Sequence, residues 1–332
     1  KDIILKFKRM TGYHVPCMPG WDCHGLPIEL KVSQDNPGLS AHDLKIACRA
    51  YAQQWIDIQR QEFKQLGVLM DWDSPYLTMS FEYEQSILEA FASFVSQGYI
   101  ERKNKTVPWC ISCKTVLAAA EIEYEERKDP SLYVKFVLED VSAKKLLPQI
   151  GNAQVSVLVW TTTPWTLPLN RAVLIRPNES YSIFKMHEEY IIVGTTLVEK
   201  ICAVLQIDPR VVDTINAEVL IALGTRLHHP FTTDLLVPLI PDNSVELSEG
   251  TAFVHCAPGA GPTDYEIGVR NNLEIYSPVT ADGMYTQEVQ PQELAGMSIT
   301  DGQGWVMKRL LELNKLAHKT SLRHSYPHCW RC

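Results

Sequence analysis

Residues 158–170 read LVWTTTPWTLPLN. Leu158, Val159 and Trp160 favour a strand, and they run straight into Thr161, Thr162 and Thr163 and then a rigid Pro164 corner. Threonines are ordinary on a solvated strand face. Here they sit between bulky apolar residues, where their hydroxyls would face a pocket wall, and no base stands beside them. Segments of the same kind flank the stretch: SLYVKFVLE (131–139), QVSVLVW (154–160), AVLIRP (172–177), YSIFKM (181–186) and YIIVG (190–194). They alternate or carry β-branched runs bounded by turn residues, and MHEEY (186–190) reads as a hairpin loop. So many short strands predict a closed or strongly curved, barrel-like sheet of about 170 residues, with short peripheral helices near 195–206, 263–272 and 303–317.

Upstream the character differs. Residues 1–10 have a helical pattern, YHVPCMPGWDCHGLPIEL (13–30) reads as a shaped loop or strand end, and a long helix follows with Ser40 as N-cap and Gly67 near its end. A further helix is expected over Ser80–Gln97, stopped at Gly98. No internal repeat or low-complexity tract is present.

The 332 residues suggest about two domains, and 45% apolar content describes a folded chain. No run of about 18 uncharged apolar residues exists, so no membrane partner is expected. KDIILKFKRM lacks the apolar core and cleavage site of a secretory signal, and it reads as a helix from within a larger protein. Nine cysteines, mostly scattered singly, then read as reduced thiols of a cytoplasmic protein. A net charge of −8 argues against a general nucleic-acid coat but leaves room for a shaped RNA site. The Glu101–Lys105 cluster is one local candidate, with a solvated helix end as the plainer reading.

PWCISCK and HCWRC supply two C-x-x-C pairs, Cys110 with Cys113 and Cys329 with Cys332. One such pair is a weak signal. Two pairs at the start and finish of the β segment supply four thiolates for a tetrahedral, closed and therefore structural Zn²⁺. About 215 residues separate them, so the metal would pin the two necks of an inserted domain at an entropic cost that metal–thiolate bonding offsets. His324 and His328 lie nearby as substitute ligands but read better as solvated histidines.

PGWDCHGLPIE (19–29), WCISC, VWTTTPWTLPLN and GTAFVHCAPGAGPTDY (250–265) occur in collinear order across the chain, and together they resemble the class I isoleucyl-tRNA synthetases. The resemblance implies a partial Rossmann-type catalytic piece over 1–108 and a zinc-linked neck over 109–150. An inserted β-barrel-like editing domain would follow over 151–322, with a return neck over 323–332. The family's two nucleotide-binding signatures are absent, so ATP and Mg²⁺ are expected only with the full-length enzyme and no adenylate synthesis is expected from these residues.

The same resemblance implies residue roles. Asp264 would pair with the α-ammonium of a mischarged amino acid, and His255 would wall the side-chain pocket against the larger substrate. Thr161, Thr162 and Thr163 would contact the terminal adenosine and the ester, with Trp165 and Thr166 completing the wall. Asp22 would receive the α-ammonium in the synthetic site. Partners would be the acceptor end of the isoleucine tRNA with isoleucine and valine as amino-acid moieties, and the protein would be monomeric. Isoleucyl enzymes are the standing example of the need for a second sieve, because one methylene is worth only about 1–3 kcal/mol in an apolar pocket. Without a Ser, Cys or His–carboxylate nucleophile in the motifs, direct attack by a positioned water is expected. Ala252, Phe253, Ala260 and Thr263 depart from the family's usual residues. An editing-inactive tRNA-binding module, or a deacylase of relaxed amino-acid choice, stays open beside active proofreading.

Overall fold

The computed structural model describes residues 1–148, 153–232 and 234–332. They form two units, Lys1–Lys103 and Asn104–Cys332. The domain boundary expected at 150/151 lies outside the described residues.

In the first unit, α1 (Asp2–Met10) leads to the two-residue strand β1 (Gly20–Trp21), then α2 (Leu26–Asp35) and α3 (Ala41–Gln65). β2 (Tyr76–Leu77) pairs with β1 in parallel, and α4 (Phe81–Ser96) follows. The long helices begin where capping chemistry puts them. Ser40 Oγ accepts the Asp43 N–H at 3.2 Å and Ser80 Oγ accepts the Tyr83 N–H at 3.3 Å. They stop at Gly67 and Gly98, whose φ of 74° and 76° an L side chain adopts only under strain. The stretch expected as loop through Leu30 instead turns helical at Leu26, where Pro27 occupies the first turn and its missing N–H goes unnoticed. Residues 101–105 are exposed and irregular rather than a helix end, and Lys103 pairs with Glu101.

The second unit opens with a tight hairpin of β3 (Trp109–Cys110) and β4 (Thr115–Val116). β5 (Ile122–Val137) and α5 (Asp140–Leu146) precede β6 (Val155–Thr161), β7 (Ala172–Ile175), β8 (Ser180–Met186) and β9 (Glu189–Gly194). Next come α6 (Val198–Leu205), β10 (Val211–Asn216), α7 (Ala217–Ala222), β11 (Arg226–His228) and β12 (Leu236–Pro241). β13 (Phe253–Cys256), α8 (Pro262–Arg270), α9 (Ile299–Glu312) and β14 (Leu316–Cys329) complete it. The architecture is therefore mixed α/β. The strands do not close into a barrel among the described residues. They form a six-stranded sheet in the order β10-β8-β9-β6-β5-β14 and a four-stranded sheet in the order β11-β12-β7-β13. A β-bridge between Leu138 and Leu227 joins them, the Glu139 N–H donates to the Arg226 carbonyl at 2.9 Å beside it, and their inner faces share one apolar core.

β6 sits in the middle of this arrangement, between β5 and β9, and is buried almost throughout, so its continuous apolar run matches its place. β5 extends well upstream of the segment expected from sequence. Residues 122–131 pair only with β14, forming a two-stranded ribbon whose charged composition hides it from an apolar-pattern reading. The last helix starts earlier than expected because Ser298 caps it, with its Oγ accepting the Asp301 N–H at 3.0 Å.

Candidate functional site

β6 ends at Thr161 for local reasons. Thr161 Oγ1 accepts the Thr163 N–H at 3.1 Å, and Pro164 has no N–H with which to continue a ladder. The chain turns through a short 3₁₀ segment, Pro164–Leu169, and crosses into the four-stranded sheet as β7. β13 lies antiparallel to β7, with His255 opposite Val173, which carries the histidine to the end of the threonine run.

A cavity of about 300 Å³ opens there. Its walls are Trp160, Thr161, Thr162, the Ser244–Glu249 side through Ser244, Glu246 and Glu249, and the Gly250–His255 strand entry. Gly250 (φ 67°) lies against the Trp160 indole, which a Cβ would meet at 3.2 Å. Ala252 holds a left-handed φ of 63° despite its side chain, and its carbonyl accepts the buried Tyr181 hydroxyl at 3.0 Å.

His255 is buried and both ring nitrogens are engaged. Asn170 Nδ2 donates to Nδ1 at 2.8 Å, so Nε2 carries the hydrogen and donates to Thr166 Oγ1 at 2.9 Å. Thr166 Oγ1 in turn donates to the Thr163 carbonyl at 2.8 Å. Burial pushes the His255 pKa down to about 4, so the ring is neutral at pH 7. Neither nitrogen is left to serve as a base. A second buried imidazole, His229, donates to the Leu167 carbonyl and accepts two backbone N–H groups, and burial pushes it down to about 3.

Thr161, Thr162 and His255 thus share one cavity, with Thr163 and Thr166 tied to it through the hydrogen-bond chain. Trp165 and Asp264 are not among the residues lining it. The Trp165 carbonyl accepts the Tyr285 hydroxyl at 2.7 Å. Asp264, in the first turn of α8, accepts the Ala257 N–H on Oδ2 at 2.8 Å, while burial holds its carboxyl above the usual range. Asn170 and Trp160 also belong to the site; both lie within the 158–170 stretch, where an apolar strand residue and a turn asparagine carry no chemical signal of their own.

In the first unit, Asp22 and Thr78 directly follow the two parallel strands, and Thr78 Oγ1 donates to Asp22 Oδ1 at 3.3 Å. That is the carboxyl end of a parallel pair, the edge where α/β sheets place ligands. A cavity of about 270 Å³ nearby in sequence is lined by Cys23, His24, Glu29, Lys45 and Cys48. A larger, open depression of about 660 Å³, around Arg9, Cys17 and Trp72, contains none of the expected site residues.

The four cysteines come together: the Sγ atoms of Cys110, Cys113, Cys329 and Cys332 all lie within 4.8 Å of one another. The Cys113 N–H points at Cys110 Sγ at 3.3 Å, and Cys110 Sγ is 3.4 Å from Cys332 Sγ. Burial and neighbouring thiols push Cys113 up to about 12, whereas backbone N–H groups of Arg331 and Cys332 draw Cys329 down to about 7. Four thiols this close suit a soft cation that takes four sulfurs in a tetrahedron. His324 and His328 stand outside the cluster: His324 bonds Asp129 and His328 bonds the Tyr326 carbonyl. The hairpin that carries Cys110 and Cys113 is seated by Trp109 Nε1, which donates to the Ala281 carbonyl at 2.9 Å.

Among curated proteins, the chain is 42% identical over 337 residues to the isoleucine–tRNA ligase of Geobacter sulfurreducens and 40% identical to that of Haemophilus ducreyi. Each alignment covers the whole of this chain, which spans 36% of the length of these relatives. A solved editing domain of the P. knowlesi cytosolic leucyl-tRNA synthetase aligns with 62% of the chain and 98% of its own, at 12% identity and a TM-score of 0.44. That likeness is loose, and the architecture stands on the strand orders above. No helix among the described residues is long and apolar enough to cross a membrane. The family model for class I tRNA synthetases (I, L, M and V) matches residues 1–243, and the chain belongs to that family.

Proposed function

We propose that this chain is the proofreading part of an isoleucine–tRNA ligase, which hydrolyses valine wrongly esterified to the isoleucine tRNA. The observation that carries the reading is the cavity where Thr161 and Thr162 face a neutral His255 locked between Asn170 and Thr166. A ring with both nitrogens engaged is a wall and not a base. The residues therefore favour attack on the ester carbonyl by a positioned water, with threonine hydroxyls holding the ester and the terminal ribose. A rigid imidazole wall limits the side chain admitted, so valine fits and isoleucine is excluded. Asp264 is half-buried with its carboxyl raised by burial, so a substrate ammonium would gain a charge-assisted partner there.

Residues 1–108 belong, on this reading, to a split Rossmann-type catalytic domain, in which Asp22 receives the amino acid for synthesis. The editing domain, over 151–322, is a barrel-like insertion between necks at 109–150 and 323–332. The four-cysteine cluster holds a structural Zn²⁺, whose chemistry is to bind the thiolates and pin the necks. The whole enzyme uses ATP and Mg²⁺, acts as a monomer in the cytoplasm and binds the tRNA acceptor end.

The test is deacylation of valyl- and isoleucyl-tRNA of the isoleucine acceptor. Asp264→Ala should remove a contact worth about 1.5–3 kcal/mol and slow valine release by one to two orders of magnitude. His255→Ala should admit isoleucine while partly sparing valine hydrolysis, and Thr162→Ala should slow both. If all three behave like the parent and still spare isoleucyl-tRNA, the pocket lies elsewhere.

A further inference from the structure

The ribbon formed by residues 122–131 of β5 and their partners in β14 has two unlike faces. One face satisfies itself. Asp129 is buried and accepts from Arg127 Nε and His324 Nε2, each at 2.9 Å. The Arg127 guanidinium lies over the Tyr326 ring at 4.6 Å, and the Tyr326 ring meets His324 and His328 edge-on. Glu123 and Glu125 share this face by strand alternation, so it carries three carboxylates to one guanidinium.

The opposite face inverts that balance. The register sets Lys128 directly across from Arg323, and Lys319 lies on the same face four residues along β14. Glu126, opposite Ser325, is the single carboxylate among them on the ribbon. Lys128, Arg323 and Lys319 are exposed, and none has an ion-pair partner among the described residues. Like charges directly across a ladder destabilise it, most of all in a ribbon with no third strand. In a chain of net charge −8, such a pair is a local exception to the surface charge. Tyr124 adds an aromatic side chain, 69% exposed, on the same face.

We propose that this face binds the phosphate backbone of an RNA, with Lys128 and Arg323 on adjacent phosphates and Tyr124 as a stacking surface for an unpaired base. The assignment rests on the tRNA-directed reading above for the class of polyanion. Cations without internal partners, arranged along a strand beside an aromatic, are what a sugar-phosphate chain neutralises. Sequence-independent binding through phosphates would orient the RNA rather than select it.

The experiment is anisotropy of a labelled, uncharged RNA stem-loop with a single-stranded 3′ end, titrated with the protein between 50 and 200 mM KCl. Lys128→Gln with Arg323→Gln should weaken binding about 5- to 20-fold at the lower salt and make the plot of log affinity against log salt shallower by roughly 1.5. Removing the like-charge pair should leave the melting midpoint unchanged or raise it. A control, Arg210→Gln with Lys308→Gln, neutralises two exposed cations that pair with Asp208 and Glu312 and should change affinity less than about 2-fold. An unchanged salt slope in the ribbon variant, an equal loss in the control, or no RNA binding by the parent would overturn the proposal. Because the RNA carries no amino acid, a protein that binds it through the ribbon yet fails to deacylate valyl-tRNA would sink only the proofreading reading.

Discussion

Helix α4 and strand β6 are both rich in large apolar residues, yet the two treat them oppositely. In β6, Val155, Val157, Leu158 and Val159 are all at most 1% exposed. In α4, Ile87, Leu88, Phe91 and Phe94 are each more than half exposed, and the helix buries no residue. The units around them differ in the same way. Lys1–Lys103 holds a small apolar cluster of Cys23, Ala52, Ile56 and Met79, whereas the second unit packs two sheets on a continuous core. Apolar pattern marks a face that can be buried, and only neighbouring elements bury it.

The largest effect that should sharpen this contrast is metal removal. Chelating Zn²⁺, or replacing Cys110 by Ser, should forfeit a binding free energy on the order of 10 kcal/mol. Hydrogen exchange should quicken at 109–129 and 320–329, with α3 unaffected. Elemental analysis finding less than half an equivalent of zinc in unchelated protein would contradict the premise. Next in size, Phe136→Ala in the second core should lower unfolding free energy by about 3–5 kcal/mol, read from urea midpoints.

Acid should then weaken the second unit specifically. His255 and His229 are pushed from the ordinary 6.5 down to about 4 and about 3, so the unfolded chain takes up protons that the folded chain refuses. Their stabilising contribution is complete above about pH 6.5 and is lost as pH falls towards 4, by roughly 3 kcal/mol for His255. Urea midpoints at pH 7, 5.5 and 4.5 should show that slope, and His255→Gln should flatten part of it. A flat profile in the parent would mean that these rings are hydrated. The smallest effect belongs to the exposed helix: Leu88→Gln should alter stability by no more than about 0.5 kcal/mol. A loss of several kcal/mol there would erase the contrast between the units.

Local chemistry was legible where it is carried by short-range bonds. Ser40 and Ser80 cap the helices assigned to them, and the strands at 155–161, 172–175, 180–186 and 189–194 follow their β-branched runs. The paired cysteines also converge as their motifs imply. The ribbon was illegible because both its faces meet water, so IEYEERKD carries no apolar alternation to read. Closure of the sheets was not legible for a related reason. Strand count says nothing about whether edge strands such as β10 and β13 find each other.

The sequence by itself determined the caps, the turns, the threonine corner and the twin thiol pairs, since each depends on atoms a few residues apart. Tertiary structure alone decided that Asn170, 85 positions away, would set the His255 tautomer, and that Asp264 would turn to the Ala257 N–H. It also decided that Lys128 would face Arg323. Those pairings depend on strand register and on which faces meet. Register is set by the packing of whole sheets, a sum over many contacts that no single stretch of the chain contains.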